Sequence, residues 1–236
     1  NKIITAWEDS LFDRTKVYPF YGIDDTDFRH ELKGVRKLAG RPSDDYLADQ
    51  VIKFIEGDEW AEKDNYFVMI NTAQLHGSYY NGKYIDKDSN GNVIRNNYTV
   101  DVTKTPEGYS AYMKGSIRCF AQGLYDADRQ LGKLYDYIQK QDEKTIIIFY
   151  GDHLPNLKSI TMLEGAEDYE RIANLPYFNT DSDLLNVYRK YDTECLIVGN
   201  FDMGEQDVEW LNYDLLMAYV MHRMDVETDA YYDFLY

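Results

Sequence analysis

Three short apolar runs constrain the fold of this chain more than anything else in it: Tyr66–Asn71, Thr145–Tyr150 and Cys195–Val198. Each is rich in β-branched or aromatic residues and nearly continuous, with no alternation of polar positions. That pattern predicts strands covered on both faces. Lys2–Thr5 is a fourth candidate. Stretches with helical spacing lie between them. Ser43 stands at an N-cap position ahead of Tyr46, Leu47, Val51, Ile52 and Ile55. From Pro106 to about Gln141, Met113, Ile117, Phe120, Leu124, Leu131 and Ile138 recur at helical steps. Trp210–Met224 repeats the pattern with Leu211, Leu215 and Tyr219. Strands alternating with such helices predict an α/β fold. No repeat or linker divides the chain, so residues 1–236 read as a single domain. The polar stretch 81–105 reads as a hairpin-like excursion from its core.

Charge narrows the partners. The chain has 25 Lys+Arg against 42 Asp+Glu, a net charge of −17. Nucleic acid, whose phosphates need a basic face, is excluded as a partner. Docking on anionic lipid by charge alone is excluded too. No run approaches the length of a membrane span, and no signal-peptide pattern opens the chain. The first residue is Asn1, which reads as a processed product or a piece cut from a longer protein. Cys119 and Cys195 read as two small apolar residues, and sequence does not establish a bridge between them.

The chemistry concentrates after two of the strands. The run to Tyr150 ends at Gly151, and Asp152, His153, Leu154 and Pro155 follow. Ligands in α/β sheets bind beyond the carboxyl ends of strands. A carboxylate and an imidazole side by side there are donors for a divalent metal. The plain alternative is a capping Asp152 and a packed His153. Likewise the run to Asn71 is followed by Thr72-Ala-Gln-Leu-His76-Gly77, which sets His76 past a second strand end.

Several of these segments, taken together, resemble a known family. Asp128–Ile138 followed by Lys144–Pro155, the Leu75-His76-Gly77-Ser78-Tyr79 loop, and Phe12-Asp13-Arg14 followed by Tyr18 and Gly22–Asp24 resemble the sulfatase-like branch of the alkaline phosphatase superfamily. So does Tyr191–Asn200 with the apolar helix and Tyr231–Leu235 after it. The likeness is greatest to the lipoteichoic acid synthase group of phosphoglycerol transferases. It implies a three-layer α/β sandwich with a mostly parallel central sheet, of which this chain is the C-terminal part. It implies that Asp152 and His153 ligate manganese, or magnesium or zinc. It also implies that His76 and Arg14 hold phosphate, with Phe12 near the headgroup. A histidine common in the family before that arginine is Thr5 here. The family's nucleophile and its first carboxylate ligand have no counterpart among the matched segments, and are expected upstream of Asn1. The chain is thus expected to be inactive alone. Its parent is expected on the extracellular face of a bacterial membrane, held by an anchor upstream, acting on an anionic lipid or glycan headgroup. A sulfatase or phosphodiesterase of the same superfamily is the near alternative. A non-catalytic glycan-binding or interaction module is the distant one.

Other features carry less. Asp86-Lys-Asp88-Ser-Asn90-Gly91-Asn92-Val93 matches the start of an EF-hand loop, but position 12 is Asn97 in place of the bidentate glutamate. A hairpin with a type I′ turn at Asn90-Gly91 is preferred to a calcium site at 86–92. The 23 tyrosines read mainly as core and boundary residues. His222 reads as structural, His30 as solvent-facing, and Asp126 and Asp128 as ordinary surface charges.

Overall fold

The computed structural model describes residues 1–236 apart from 24, 59–64, 106, 108, 156–179, 190, 209 and 236. Asp24 and Pro106, both used in the sequence reading, lie outside the described residues. The chain divides into two compact units. The first holds Asn1–Leu134 and Tyr150–Glu194, the second Tyr135–Phe149 and Cys195–Tyr236.

In the first unit, strand β1 (Lys2–Thr5) is the centre of a parallel sheet between β2 (Asp25–Asp27) and β5 (Val68–Asn71). The register sets Ile4 beside Asp27 on one side and beside Ile70 on the other. Ile3, Ile4, Thr5 and Ala6 are all buried. Lys2 is buried at the strand's start, where its Nζ reaches Asp25 at 2.7 Å and Asp27 at 3.0 Å. The short run that was only a candidate is therefore the core strand.

Helix α2 (Asp44–Ile55) covers this sheet; α1 (Arg14–Val17) is a single turn described with the site. Ser43 caps α2 as its sequence predicts, its Oγ accepting from the Tyr46 N–H at 3.2 Å. Asp44 and Asp45 complement the dipole in the first turn. Tyr46, Leu47 and Val51 pack against Ile4, Ala6 and Ala73. Burying such aliphatic side chains stabilises by about 1.5–3 kcal/mol each. The long helix α3 (Ala111–Ile138) is tied to α2 through Lys133, which pairs with Asp45 and Asp49; Arg36 pairs with the same two carboxylates. Buried Cys119 of α3 joins Tyr79 and Tyr84 in a second apolar cluster.

Within 81–105, β6 (Ile85–Lys87) and β7 (Val93–Asn96) form an antiparallel hairpin, whereas Lys83 and Tyr84 just before it are buried. The turn differs from the expected type. Gly91 has φ 84, and Asn90 is not among the positive-φ residues, whereas type I′ needs both. The Gly91 N–H bonds the Asp88 carbonyl at 3.0 Å, and the Asp88 N–H bonds the Asn92 carbonyl at 2.9 Å. That is a three-residue loop with a bulge at glycine. The Asp88 carboxylate accepts from the N–H groups of Asn90 and Asn92, so the oxygen-rich sequence serves the turn.

A two-residue hairpin joins β3 (Lys37–Leu38) to β4 (Arg41–Pro42). Helix α4 (Asp183–Tyr188) is capped by Ser182. Strands β8 (Ile146–Tyr150) and β9 (Cys195–Gly199) pair in a sheet of their own. Asn200 N–H bonds the Thr145 carbonyl at one end, and Gly151 N–H bonds the Glu194 carbonyl at the other, so this pair is antiparallel. Phe149 is 41% and Leu196 47% exposed. Both strands were read as covered on both faces; a continuous apolar run specifies neither pairing direction nor burial. Cys195 is likewise exposed, and both thiols are free. In the second unit the Asn200 carboxamide accepts from Thr145 N–H and donates to the carbonyls of Ile138, Gln141 and Glu143. Helices α5 (Tyr213–Arg223), capped by Asn212, and α6 (Ala230–Leu235) complete it. Among the described residues no helix is long and apolar enough to cross a membrane.

Candidate functional site

The site grows from the carboxyl ends of β1 and β5, neighbours in the parallel sheet. Beyond β1, Trp7 donates its indole N–H to the Thr72 carbonyl beyond β5 at 3.0 Å. Its ring stands edge-on to His76, 4.9 Å between centroids. His76 in turn stands edge-on to His153, at 6.2 Å. The two histidines read from separate strand ends are thus brought together, with Trp7 beside His76.

Both imidazoles have a defined tautomer. His76 Nδ1 lies 3.1 Å from the Gly77 carbonyl, and His153 Nδ1 lies 2.8 Å from the Leu154 carbonyl. A carbonyl only accepts, so each Nδ1 donates to it. His153 Nε2 is 3.8 Å from Asp152 Oδ1, and the two side chains are 58% and 84% exposed. Adjacent ligands on one tetrahedral ion, with bonds of about 2.1 Å, stand about 3.4 Å apart. The observed 3.8 Å is close to that spacing. Two donors make only part of a ligand set, and among the described residues no group of three or more His, Cys, Asp or Glu could hold a metal.

Arg14 reaches the site by an unusual route. Phe12 and Asp13 both lie in the left-handed region, at φ 59 and φ 50, and turn the chain back toward β1. Such residues cost on the order of 1 kcal/mol or more each. The turn buries Arg14, whose Nη1 donates to Thr5 Oγ1 at 3.3 Å; the same hydroxyl accepts from Trp7 N–H at 3.2 Å. Arg14 therefore connects to His76 through Thr5 and Trp7. Phe12 stands apart, 79% exposed, with the Arg14 guanidinium 6.0 Å from its ring.

Beneath the His76 loop runs a polar network that the sequence did not disclose. The Asp44 N–H donates to Gln74 Oε1 at 3.0 Å, and Gln74 Nε2 donates to Asp126 at 2.7 Å. Gln122 Nε2 donates to the other Asp126 oxygen, while Gln122 Oε1 accepts from Thr99 and Val100 N–H. Asp126 is thus a half-buried acceptor, not the surface charge its spacing suggested. Asp44 is 4% exposed and its Oδ1 has no hydrogen-bond partner among the described residues. Burial, reinforced by the Asp126 charge, pushes the Asp44 carboxyl up to about 7.

Lys83 belongs to the same layer. It is buried, lies over the rings of Tyr79 and Tyr84, and donates to the His76 carbonyl at 2.6 Å. Burial lowers its pKa. Removing a charged donor of this kind costs about 1–3 kcal/mol. Lys83→Met is expected to lower stability by that amount and to shift the His76 imidazole resonances in NMR spectra. Those of His30, which lies 3.6 Å from Glu8 in a half-exposed contact, and of exposed His222 should stay in place. An unmoved His76 signal would show that Lys83 does not hold this loop.

Comparisons with known proteins agree with this architecture. Residues 1–193 match the family model for sulfatases. A protein of Rhizobium meliloti (strain 1021), provisionally named as a cyclic beta-1,2-glucan modification protein, is 26% identical over 165 residues, covering 70% of this chain and 23% of its own length. The Streptococcus pyogenes phosphoglycerol transferase GacH, solved in complex with sn-glycerol-1-phosphate, is similar over 99% of this chain and 52% of its own, at 15% identity and a TM-score of 0.66. The lipoteichoic acid synthase LtaP from Listeria monocytogenes is similar over 83% of this chain and 42% of its own, at 13% identity and a TM-score of 0.55. The chain thus spans about half of each solved relative and under a quarter of the Rhizobium protein. At these identities the solved structures show a shared fold. With 193 of its 236 residues inside the family model, the chain belongs to the sulfatase family.

Proposed function

We propose that this chain carries the anion-binding groups and two metal ligands of an extracellular phosphotransferase of the phosphoglycerol-transferase type. Its substrate would be an anionic lipid or glycan headgroup. The observation that supports this best is the meeting of Asp152–His153 with His76 beyond the strand ends, each imidazole holding a backbone carbonyl through Nδ1. Asp152 and His153 would hold a divalent ion, with manganese preferred and magnesium or zinc acceptable. When bound, that ion supplies Lewis-acid stabilisation of charge on oxygen. Arg14, held by Thr5, donates to a tetrahedral oxyanion. His76 would contact the same group through its imidazole edge. Turnover needs a nucleophile besides these residues, so the chain by itself should bind and not convert. The relatives' names favour phosphoglycerol and glucan chemistry. The family model favours a second reading, a sulfate ester or phosphodiester at the same geometry.

Calorimetry with manganese tests the proposal without any turnover. The chain should bind weakly, and Asp152→Ala should weaken binding by about tenfold or more, the scale on which metal sites respond to lost support. Equal binding by both proteins would remove Asp152 from the metal site.

A further inference from the structure

In this chain of net charge −17, Lys2, Lys16, Arg29, Arg36, Arg118 and Lys133 each have a carboxylate within ion-pair distance. Arg14, Arg41 and Lys83 are among the basic side chains that have none among the described residues, and these three lie around the exits of β1 and β5. Arg14 bonds Thr5 and Lys83 bonds the His76 carbonyl. Arg41 has no hydrogen bond at all from its side chain among the described residues.

Arg41 is nonetheless placed with care. Its guanidinium lies 5.1 Å from the Trp7 ring centre, and Trp7 touches His76. The turn that delivers it holds Ala39 at φ 54 and Gly40 at φ 75, so a non-glycine residue occupies the left-handed region directly before it. That is an unfavourable conformation for alanine. Pairing of Leu38 with Arg41 then fixes the backbone. The side chain is partly buried, with five N–H donors and no acceptor. Lys83 is near enough that the Arg41 charge, after burial, helps to lower its pKa. Neighbouring like charges disfavour each other, and an anion placed between them offsets that. A guanidinium stacked on an aromatic face keeps its edge free for bidentate contact with an oxyanion.

We infer that Arg41, seated on Trp7, is a specificity-determining anion contact that selects substrates carrying a second charged oxyanion group besides the one presented to Arg14 and His76. This rests on the reading of Arg14 and His76 as anion contacts. The substrate class is an anion with at least two separated charged groups, and a singly charged headgroup leaves Arg41 unused.

The test compares hexanediol monophosphate with hexanediol bisphosphate, which differ only in the second group. Binding to the full chain is measured by calorimetry, and the Trp7 indole signal is followed by NMR. Wild type should prefer the bisphosphate by about tenfold, the scale of one charge-assisted bidentate contact. Arg41→Gln should erase that preference and leave monophosphate affinity unchanged. Arg41→Lys, which keeps the charge, should retain part of it, and this separates contact loss from misfolding. Only the bisphosphate should move the Trp7 signal in wild type. An unchanged preference in Arg41→Gln overturns the inference, and so does an equal loss for both ligands. Arg14→Ala should weaken both ligands. If it weakens neither, or if wild type binds neither, the reading of the site itself falls and takes the inference with it.

Discussion

Unfolding titrations of wild type and Asp44→Asn should diverge as pH rises. The Asp44 carboxyl has an ordinary value of 3.8 and is pushed to about 7 in the folded chain, by burial first and then by Asp126. The folded state therefore holds a proton that the unfolded state has released. The contribution of Asp44 to stability is then greatest below about pH 4, falls as pH rises toward 7, and levels above that. The full loss is on the order of 4 kcal/mol at one pKa unit per 1.4 kcal/mol. Asparagine removes the charge. It also gives up the favourable carboxylate at the helix start, worth about 0.3–1 kcal/mol. The variant should be more stable than wild type by about 3 kcal/mol at pH 8, with little difference at pH 4. Parallel pH profiles for the two proteins, measured in guanidinium, would show that Asp44 is solvated or paired in solution.

Gly123→Ala should destabilise the chain, against the usual gain of about 1 kcal/mol for that change in a helix. Gly123 lies inside α3. A Cβ there would sit 2.3 Å from Leu75 Cδ1, 3.0 Å from the Tyr84 hydroxyl and 3.4 Å from Leu75 Cα. The Leu75 side chain can rotate; its backbone, one residue before His76, cannot yield without moving the site. Overpacking of this kind costs about 1–3 kcal/mol, and the helical gain offsets only part of it. A net loss of about 1 kcal/mol in chemical unfolding is expected. Leu75→Ala should rescue part of it in the double variant. A neutral or stabilising Gly123→Ala would mean that α3 does not approach this loop so closely.

Local features were legible from sequence, and distant pairings were not. Ser43 announces its helix because a cap and its target are three residues apart. The strands Val68–Asn71, Ile146–Tyr150 and Cys195–Gly199 follow from their apolar runs. Asp152 and His153 are adjacent in sequence, so their pairing beyond β8 needed no long-range knowledge. The bonds of Gln74 to Asp126 and of Lys133 to Asp45 span 52 and 88 residues, and nothing local marks them. Asp126 therefore read as a surface charge, and Lys83 as part of a polar excursion. Trp7 and Arg41 were overlooked for the same reason: their partners come from other strand ends. Trp7 had one available signal, its place just past Lys2–Thr5, hidden while that strand was only a candidate.

The three cations around the exits of β1 and β5 give an approaching anion two opposed fields. Beyond a Debye length, about 8 Å at physiological salt, the overall negative charge repels it. Within that range Arg14, Arg41 and Lys83 attract it. Added salt screens both fields, easing the approach and loosening the hold. Ligand exchange should therefore quicken as ionic strength rises while affinity stays nearly level, because arrival and departure speed up together.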